Sequence, residues 1–173
     1  PLAVDTIRHL TDCGYNASLD IYGRDDGMLE TVTEYIRSHR LENRIRFLGE
    51  VNGIKKLELF GNHNFLIQLS TNEGMAMSVA EAMQNGLVCF VTAVGEIPNY
   101  AEDMKTAIFA DISTTETFGH SLKKLESVIA DPQLYDRIST GSYEGFKTVG
   151  TYSESLIRNI GGVIGGNNTV GRH

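Results

Sequence analysis

Apolar residues recur along this chain at two alternating spacings. Short runs such as ASLDIY, IRFLG, NFLIQL and LVCFVT are largely apolar, and between them lie segments whose apolar positions return every three or four residues. The first pattern belongs to buried strands and the second to helices with one apolar stripe. The sequence predicts a helix near 2–13, a strand at 17–22, a helix at 28–39, a strand at 44–48, a helix at 54–62 and a strand at 64–69. The alternation continues with a helix at 75–85, a strand at 87–92, a short helix near 97–102 and a strand around 107–109. Helices near 115–129, 132–147 and 152–160 complete the ordered part.

Short apolar strands separated by amphipathic helices call for an α/β fold, a doubly wound parallel sheet of Rossmann-like form with additional C-terminal helices. Such sheets bind ligands beyond the carboxyl ends of their strands, which directs attention to the loops after Tyr22, Leu48, Leu69 and Thr92. Residues 1–162 are expected to form one domain, and the Gly- and Asn-rich stretch 163–173 a flexible tail. The first residue is Pro1 and Leu2 already opens an amphipathic helix, so a preceding strand is expected to be missing.

At 173 residues the chain is long enough for one substantial core. A formal charge of −7 argues against nucleic acid as a partner, because phosphate backbones are bound by clustered Lys and Arg. A single nucleotide is still accommodated, since backbone amides and a few cations can hold one diphosphate. No apolar run is long enough to span a bilayer. Cys13 and Cys89 fall in an expected helix and strand, with no CxxC and no His cluster at ligand spacing, and are expected to be reduced core residues without metal.

Two strand-to-helix loops compete as the site. Gly23-Arg24-Asp25-Asp26-Gly27 lacks the G-x-G-x-x-G spacing and the P-loop lysine, and reads as a tight turn with Asp26 capping the next helix. Ser70-Thr71-Asn72-Glu73-Gly74 differs. It precedes a helix whose first amides, roughly Met75, Ala76, Met77 and Ser78, lack intrahelical partners and carry the positive end of the dipole. Gly74 leaves room for a ligand near the backbone, and Glu73 can accept hydrogen bonds from sugar hydroxyls beside a phosphate. Glu81 would lie ~12 Å further along the same axis, a suitable reach for the cis-diol of a ribose. Glu81 also shares a stripe with Ser78, Gln84 and Asn85, and a solvated polar helix face would look the same.

Together these residues resemble the C-terminal, donor-binding half of a GT-B glycosyltransferase of family 4, the retaining group 1 enzymes. The resemblance rests on an E-x7-E spacing, Glu73 to Glu81, within Ser70-Thr71-Asn72-Glu73-Gly74 and Glu81-Ala82-Met83-Gln84-Asn85-Gly86, followed by the apolar strand Leu87-Val88-Cys89-Phe90. Flanking segments agree: IRFLGEV at 45–51, the turn Val94-Gly95-Glu96-Ile97-Pro98, and Thr151-Tyr152-Ser153. The resemblance implies a nucleoside diphosphate sugar as donor, no metal or other cofactor, and retention of anomeric configuration. Glu73 would be the catalytic-site residue holding sugar hydroxyls, Gly74 to Ser78 would hold sugar and phosphate, and Glu81 the ribose. Backbone near Glu50 and Val51 would meet the base, and Lys56 either touches the nucleotide or is an ordinary exposed helix lysine.

Departures are visible as well. Leu69 and Val88 stand where the pattern has proline, and Glu96 where it has a second glycine, which places a carboxylate near the expected pocket. The family's diphosphate-binding Arg and Lys, and its N-terminal acceptor domain with the catalytic-site His, are not in this chain. The resemblance therefore implies a domain inactive by itself with weak nucleotide affinity. By analogy the intact enzyme would build surface polysaccharide, lipopolysaccharide or glycolipid in the cytoplasm, peripheral to the inner face of the membrane. Two other readings stand beside it: a sugar-nucleotide epimerase-like relative of the same architecture, and a non-catalytic nucleotide-binding or interaction module of flavodoxin-like shape.

Overall fold

The computed structural model describes residues 2–51 and 54–147. The expected helix at 152–160, the 151–153 motif and the tail at 163–173 lie outside the described residues. Five strands alternate with helices in the expected order: α1 (Leu2–Asp12), β1 (Leu19–Tyr22), α2 (Leu29–Ser38), β2 (Ile45–Gly49), α3 (Ile54–Gly61) and β3 (Phe65–Gln68) come first. They are followed by α4 (Met77–Gln84), β4 (Val88–Thr92), α5 (Ile97–Tyr100), β5 (Ile108–Ala110), α6 (Thr115–Ala130) and α7 (Pro132–Lys147). Every strand pair is parallel.

The α/β architecture is as expected, but the sheet is in two parts. β1 pairs with β2 in one sheet and β3, β4 and β5 form another, with no hydrogen-bonded ladder joining β1 to β3. Periodicity reports that a strand is covered on its faces; it carries no information about which neighbour fills its edge.

β4 lies in the middle of its sheet and is buried along its whole length. Its side chains alternate between two cores. Cys89 and Val91 pack with Val79, Met83 and Ile97, while Val88 and Phe90 pack with Phe118, Leu122, Leu125 and Ile138. Helices thus cover both faces, which is why VCFVT reads as continuous apolar sequence. α6 starts at a capping box in which the Thr114 hydroxyl accepts from the Thr117 amide at 3.1 Å. α7 is pressed onto the end of α4, where the hydroxyl of buried Ser142 donates to the Met83 carbonyl and that of Ser139 to the Gly86 carbonyl.

Two local expectations are corrected. Cys13 is exposed and not a core residue, because it follows the last turn of α1 on the side of His9, away from the buried stripe of Val4, Ile7 and Leu10. Cys89 is buried as expected, and burial pushes its thiol up to about 12. The turn before α2 is capped by Asp25, not Asp26. The Asp25 carboxylate accepts from the amides of Gly27 at 2.8 Å and Leu29 at 3.1 Å, whereas Asp26 faces Arg24 at the surface.

Candidate functional site

The carboxyl end of β3 leads straight into the loop that carries Glu73. Buried Thr92, the last residue of β4, fixes that loop from the side: its hydroxyl donates to the Ser70 carbonyl at 2.6 Å and accepts from the Ser70 amide at 3.1 Å. The Ser70 hydroxyl in turn donates to Glu73 Oε1 at 2.6 Å. A two-step relay from the strand edge thus positions the carboxylate of half-buried Glu73, and its second oxygen is left for another partner.

The structure places the start of α4 two residues later than expected. Met75 and Ala76 are not helical: Ala76 adopts a left-handed conformation at φ 47° and Met77 begins the helix. The free amides of the first turn are therefore those of Met77 and Ser78, since the amides of Val79 and Ala80 already reach the Ala76 carbonyl. Glu73 precedes the helix instead of lying on its axis, so the straight-line separation from Glu81 expected for one continuous helix does not apply. The reason is tertiary. The turn before α5 holds the loop away from helical geometry, with the Glu96 amide donating to the Gly74 carbonyl at 3.1 Å and the Tyr100 hydroxyl to the Met75 carbonyl at 3.3 Å.

Gly95 makes that turn possible. It has a positive φ of 58°, and a Cβ there would overlap the backbone carbonyls of Glu73 and Gly74. Tyr100 lies beneath the same loop. Burial, with the nearby carboxylates of Glu73 and Glu96, pushes its phenol up to about 12, so it stays a neutral donor near neutral pH.

Glu81 and Lys56 meet across the helices, forming an ion pair between α4 and α3. Lys56 also sits 6.0 Å from the centre of the Phe60 ring. The Lys56 side chain is 27% and that of Glu81 37% exposed, so neither belongs to a fully solvated face. Lys56 is thus a half-buried, ion-paired residue and not an ordinary exposed helix lysine. Val51, Lys56 and Ser78 line a cavity of about 1040 Å³ that opens along the β1 and β3 edges. Glu50 is exposed just beyond the end of β2, where Gly49 turns the chain at φ 72°.

Thr92, Gly95 and Tyr100 are site residues that the sequence reading did not single out by role. Only the turn containing Gly95 had a signal; Thr92 and Tyr100 act through contacts that no local spacing reveals. Among the described residues, one group brings three metal-ligating side chains together: His9, Cys13 and Glu126 place one ligand atom each within 4.8 Å of one another. A 2.7 Å bond between His9 Nε2 and Glu126 Oε1 accounts for the pairing of α1 with α6 there. These residues sit near the amino ends of the strands, on the side opposite Glu73.

Comparison with known proteins gives this geometry a context. The family model for group 1 glycosyl transferases matches residues 2–144. The N-acetyl-alpha-D-glucosaminyl L-malate synthase of Bacillus anthracis is 24% identical over 119 residues, covering 68% of this chain and 31% of that protein. The chain thus spans about a third of the length of that curated relative. Among solved structures, the pneumococcal O-GlcNAc transferase GtfA, in complex with UDP and GlcNAc, superposes with a TM-score of 0.78 at 18% identity, covering 95% of this chain and 32% of that one. The C-terminal domain of the group 1 glycosyl transferase LpcC from Francisella tularensis superposes with a TM-score of 0.72 at 17% identity, covering 86% of this chain and 77% of that one. The fold is the Rossmann-like half of a GT-B enzyme, and the chain belongs to the group 1 glycosyl transferase family.

Proposed function

We propose that this chain is the donor-binding domain of a glycosyltransferase that moves a sugar from a nucleoside diphosphate sugar to an acceptor hydroxyl with retention of configuration. The observation that carries the reading is the relay from Thr92 through Ser70 to Glu73, which fixes a carboxylate in the loop that leads into α4. Glu73 accepts hydrogen bonds from the donor sugar's hydroxyls. The Met77 and Ser78 amides meet the diphosphate, where the helix end favours negative charge. Glu81, now paired with Lys56, accepts the ribose hydroxyls, and Lys56 is then free to face phosphate. Backbone at Glu50 and Val51 meets the base.

In the transfer, the bond from the anomeric carbon to the diphosphate oxygen breaks as the acceptor oxygen bonds to the same face. The acceptor proton passes to the departing oxygen. The domain contributes position and electrostatic stabilisation of the leaving diphosphate, with no covalent intermediate on Glu73 and no metal or other cofactor. Acceptor binding and further phosphate-binding cations are contributed from outside this domain, so the isolated domain is inactive. Use in surface polysaccharide or glycolipid synthesis at the inner face of the membrane fits this chemistry. Among the described residues no helix is long and apolar enough to cross a membrane.

The test is Glu73→Gln in the intact enzyme, with product stereochemistry followed by NMR. The reading expects an α-linked donor to give an α-linked product and the substitution to lower kcat by about a hundredfold, the scale of losing one charge-stabilising contact in a transition state. An inverted product, or unchanged turnover in Glu73→Gln, would contradict it.

A further inference from the structure

Cysteine is among the residue types most often buried, and Cys89 follows that rule while Cys13 breaks it. The Cys13 thiol is placed by the way α1 ends. The Tyr15 amide donates to the Leu10 carbonyl and the Gly14 amide to the Thr11 carbonyl, both at 2.9 Å, with Gly14 at a positive φ of 87°. This paired closure around a left-handed glycine locks Cys13 as the capping residue of the helix, and the Cys13 amide still reaches the His9 carbonyl at 2.9 Å. His9 and Cys13 therefore stand one turn apart on one face. Glu126 of α6 lies opposite them, and Leu10, packed with Leu122 and Leu125, fixes the two helices against each other. All three side chains are thus carried by packed helices, which suits them to hold a ligand in a defined place.

An imidazole nitrogen, a thiol sulfur and a carboxylate oxygen meet here within 4.8 Å of one another. His9 Nε2 lies 2.7 Å from Glu126 Oε1 and 3.8 Å from Cys13 Sγ. One ring nitrogen carries either a proton or a lone pair. When Nε2 donates to the carboxylate it has no lone pair left for the thiol proton, whereas a cation between the three atoms satisfies them all. We infer that His9, Cys13 and Glu126 form a site for a divalent cation of the zinc class, which clamps α1 to α6 and keeps its fourth position for water. Glu126 is 117 residues from His9, so no ligand spacing marks the site in the sequence.

Geometry and charge select the ion. Around a tetrahedral zinc, with bonds of about 2.0 Å to nitrogen and oxygen and about 2.3 Å to sulfur, ligand atoms stand about 3.3 to 3.6 Å apart. The separations of 2.7 and 3.8 Å reach that range by side-chain shifts of less than about 1 Å. Magnesium and calcium prefer oxygen ligands throughout, whereas imidazole with thiolate suits zinc. On binding, the Cys13 thiol gives its proton to solvent, His9 offers the Nε2 lone pair and Glu126 one carboxylate oxygen. The two ligand charges then balance the ion, and the carbonyl end of α1 favours positive charge at this spot. The His9 side chain is 33% and that of Glu126 27% exposed, which leaves a path for the ion and its water. α1 places Val4 and Ile7 in the core beside β1 and Leu10 in the core under α6, so the clamp ties the β1–β2 group to the helix packed on β4 and β5. The site takes no part in sugar transfer.

The experiment titrates the reduced, metal-free intact enzyme with Zn²⁺ and with Co²⁺, and repeats both titrations on Cys13→Ser and Glu126→Gln. Cobalt reports the donor set directly, because a thiolate bound to Co²⁺ gives a charge-transfer band in the near ultraviolet. The expected result for wild type is Zn²⁺ binding with a Kd of about 1 μM or below, a thiolate band with Co²⁺ that Zn²⁺ removes, and a higher Tm with Zn²⁺ than without. Cys13→Ser is expected to abolish the band and to weaken Zn²⁺ binding by about tenfold or more, and Glu126→Gln to weaken binding about tenfold while keeping the band. The Cys13 side chain is exposed, and an unchanged circular dichroism spectrum of metal-free Cys13→Ser reports that the fold is kept. Three results would overturn the inference: no saturable Zn²⁺ binding below about 100 μM, a thiolate band that survives Cys13→Ser, or the same Zn²⁺ affinity and gain in Tm in Cys13→Ser as in wild type. The second would place the ion on another cysteine.

Discussion

The two strand groups of this domain differ in how far they are finished. β4 is buried throughout, with helices on both faces and a strand on either side. β1 is only half-buried along its length, and in β2 Ile45 alone is buried, with Phe47 38% and Leu48 45% exposed. The loop bearing Glu73 grows from the finished group and is fastened by its neighbours. The region expected to meet the base grows from the unfinished one. The loop proposed to hold the sugar is therefore fastened within the described residues, while the segment proposed to meet the base, Glu50 and Val51, follows the more exposed strand pair.

Substitutions can break this contrast directly. Phe90→Ala in β4 removes a fully buried ring between two helices and is expected to lower stability by about 3–5 kcal/mol in denaturant unfolding. Phe47→Ala in β2 is expected to change it by less than about 1 kcal/mol, because the side chain is already partly in water. Equal losses at the two positions would erase the distinction between the groups.

Gly95→Ala probes the fastened loop. The added methyl meets the Glu73 and Gly74 carbonyls at a positive φ, so a loss of about 1–3 kcal/mol is expected, together with weaker discrimination between a sugar nucleotide and its free nucleoside diphosphate in the intact enzyme. Stability lost without any change in that ratio would detach the loop from sugar recognition.

The Asp20 cluster responds to pH. Arg46, then His63, hold the Asp20 carboxyl below its usual value of 3.8 against the opposing effect of burial. The stabilisation is therefore present above that value and is lost as pH falls through the lower folded-state value. Asp20→Asn is expected to cost on the order of 1 kcal/mol at neutral pH, since Arg46 is largely exposed, and nothing once the acid limb is passed. At the other end of the scale, Tyr100 is held neutral up to about 12, so its contribution is intact below the ordinary tyrosine value of 10.0 and declines as pH rises between the two. Phenolate absorbance against pH, with Tyr100→Phe as reference, measures this smallest effect.

Much of this was legible in the residues. The order of strands and helices followed from period alone, because a strand covered on both faces and a helix with one buried stripe leave different records. Glu73, Glu81 and the Ser70 loop stood out by spacing. What escaped depended on contacts distant in sequence. The late start of α4 is imposed by the turn at Gly95 and by Tyr100, and its left-handed residue is Ala76, not a glycine that would have marked it. The Lys56–Glu81 pair joins two helices with β3 between them. The division of the sheet left no trace in the pattern, since β1 and β3 have apolar faces whether or not a strand lies between them. Cys13 was misplaced for a local reason: it lies just past the end of α1, where the apolar period no longer applies.

Donor binding at Glu81 is tested most directly by calorimetric titration of the intact enzyme with UDP, GDP and ADP, comparing wild type with Glu81→Ala. Wild type is expected to bind one of the three saturably, with affinity lowered roughly tenfold to a hundredfold in Glu81→Ala as a charged hydrogen bond to the ribose is lost. Binding unchanged by the substitution, or no binding of any nucleoside diphosphate, would contradict it.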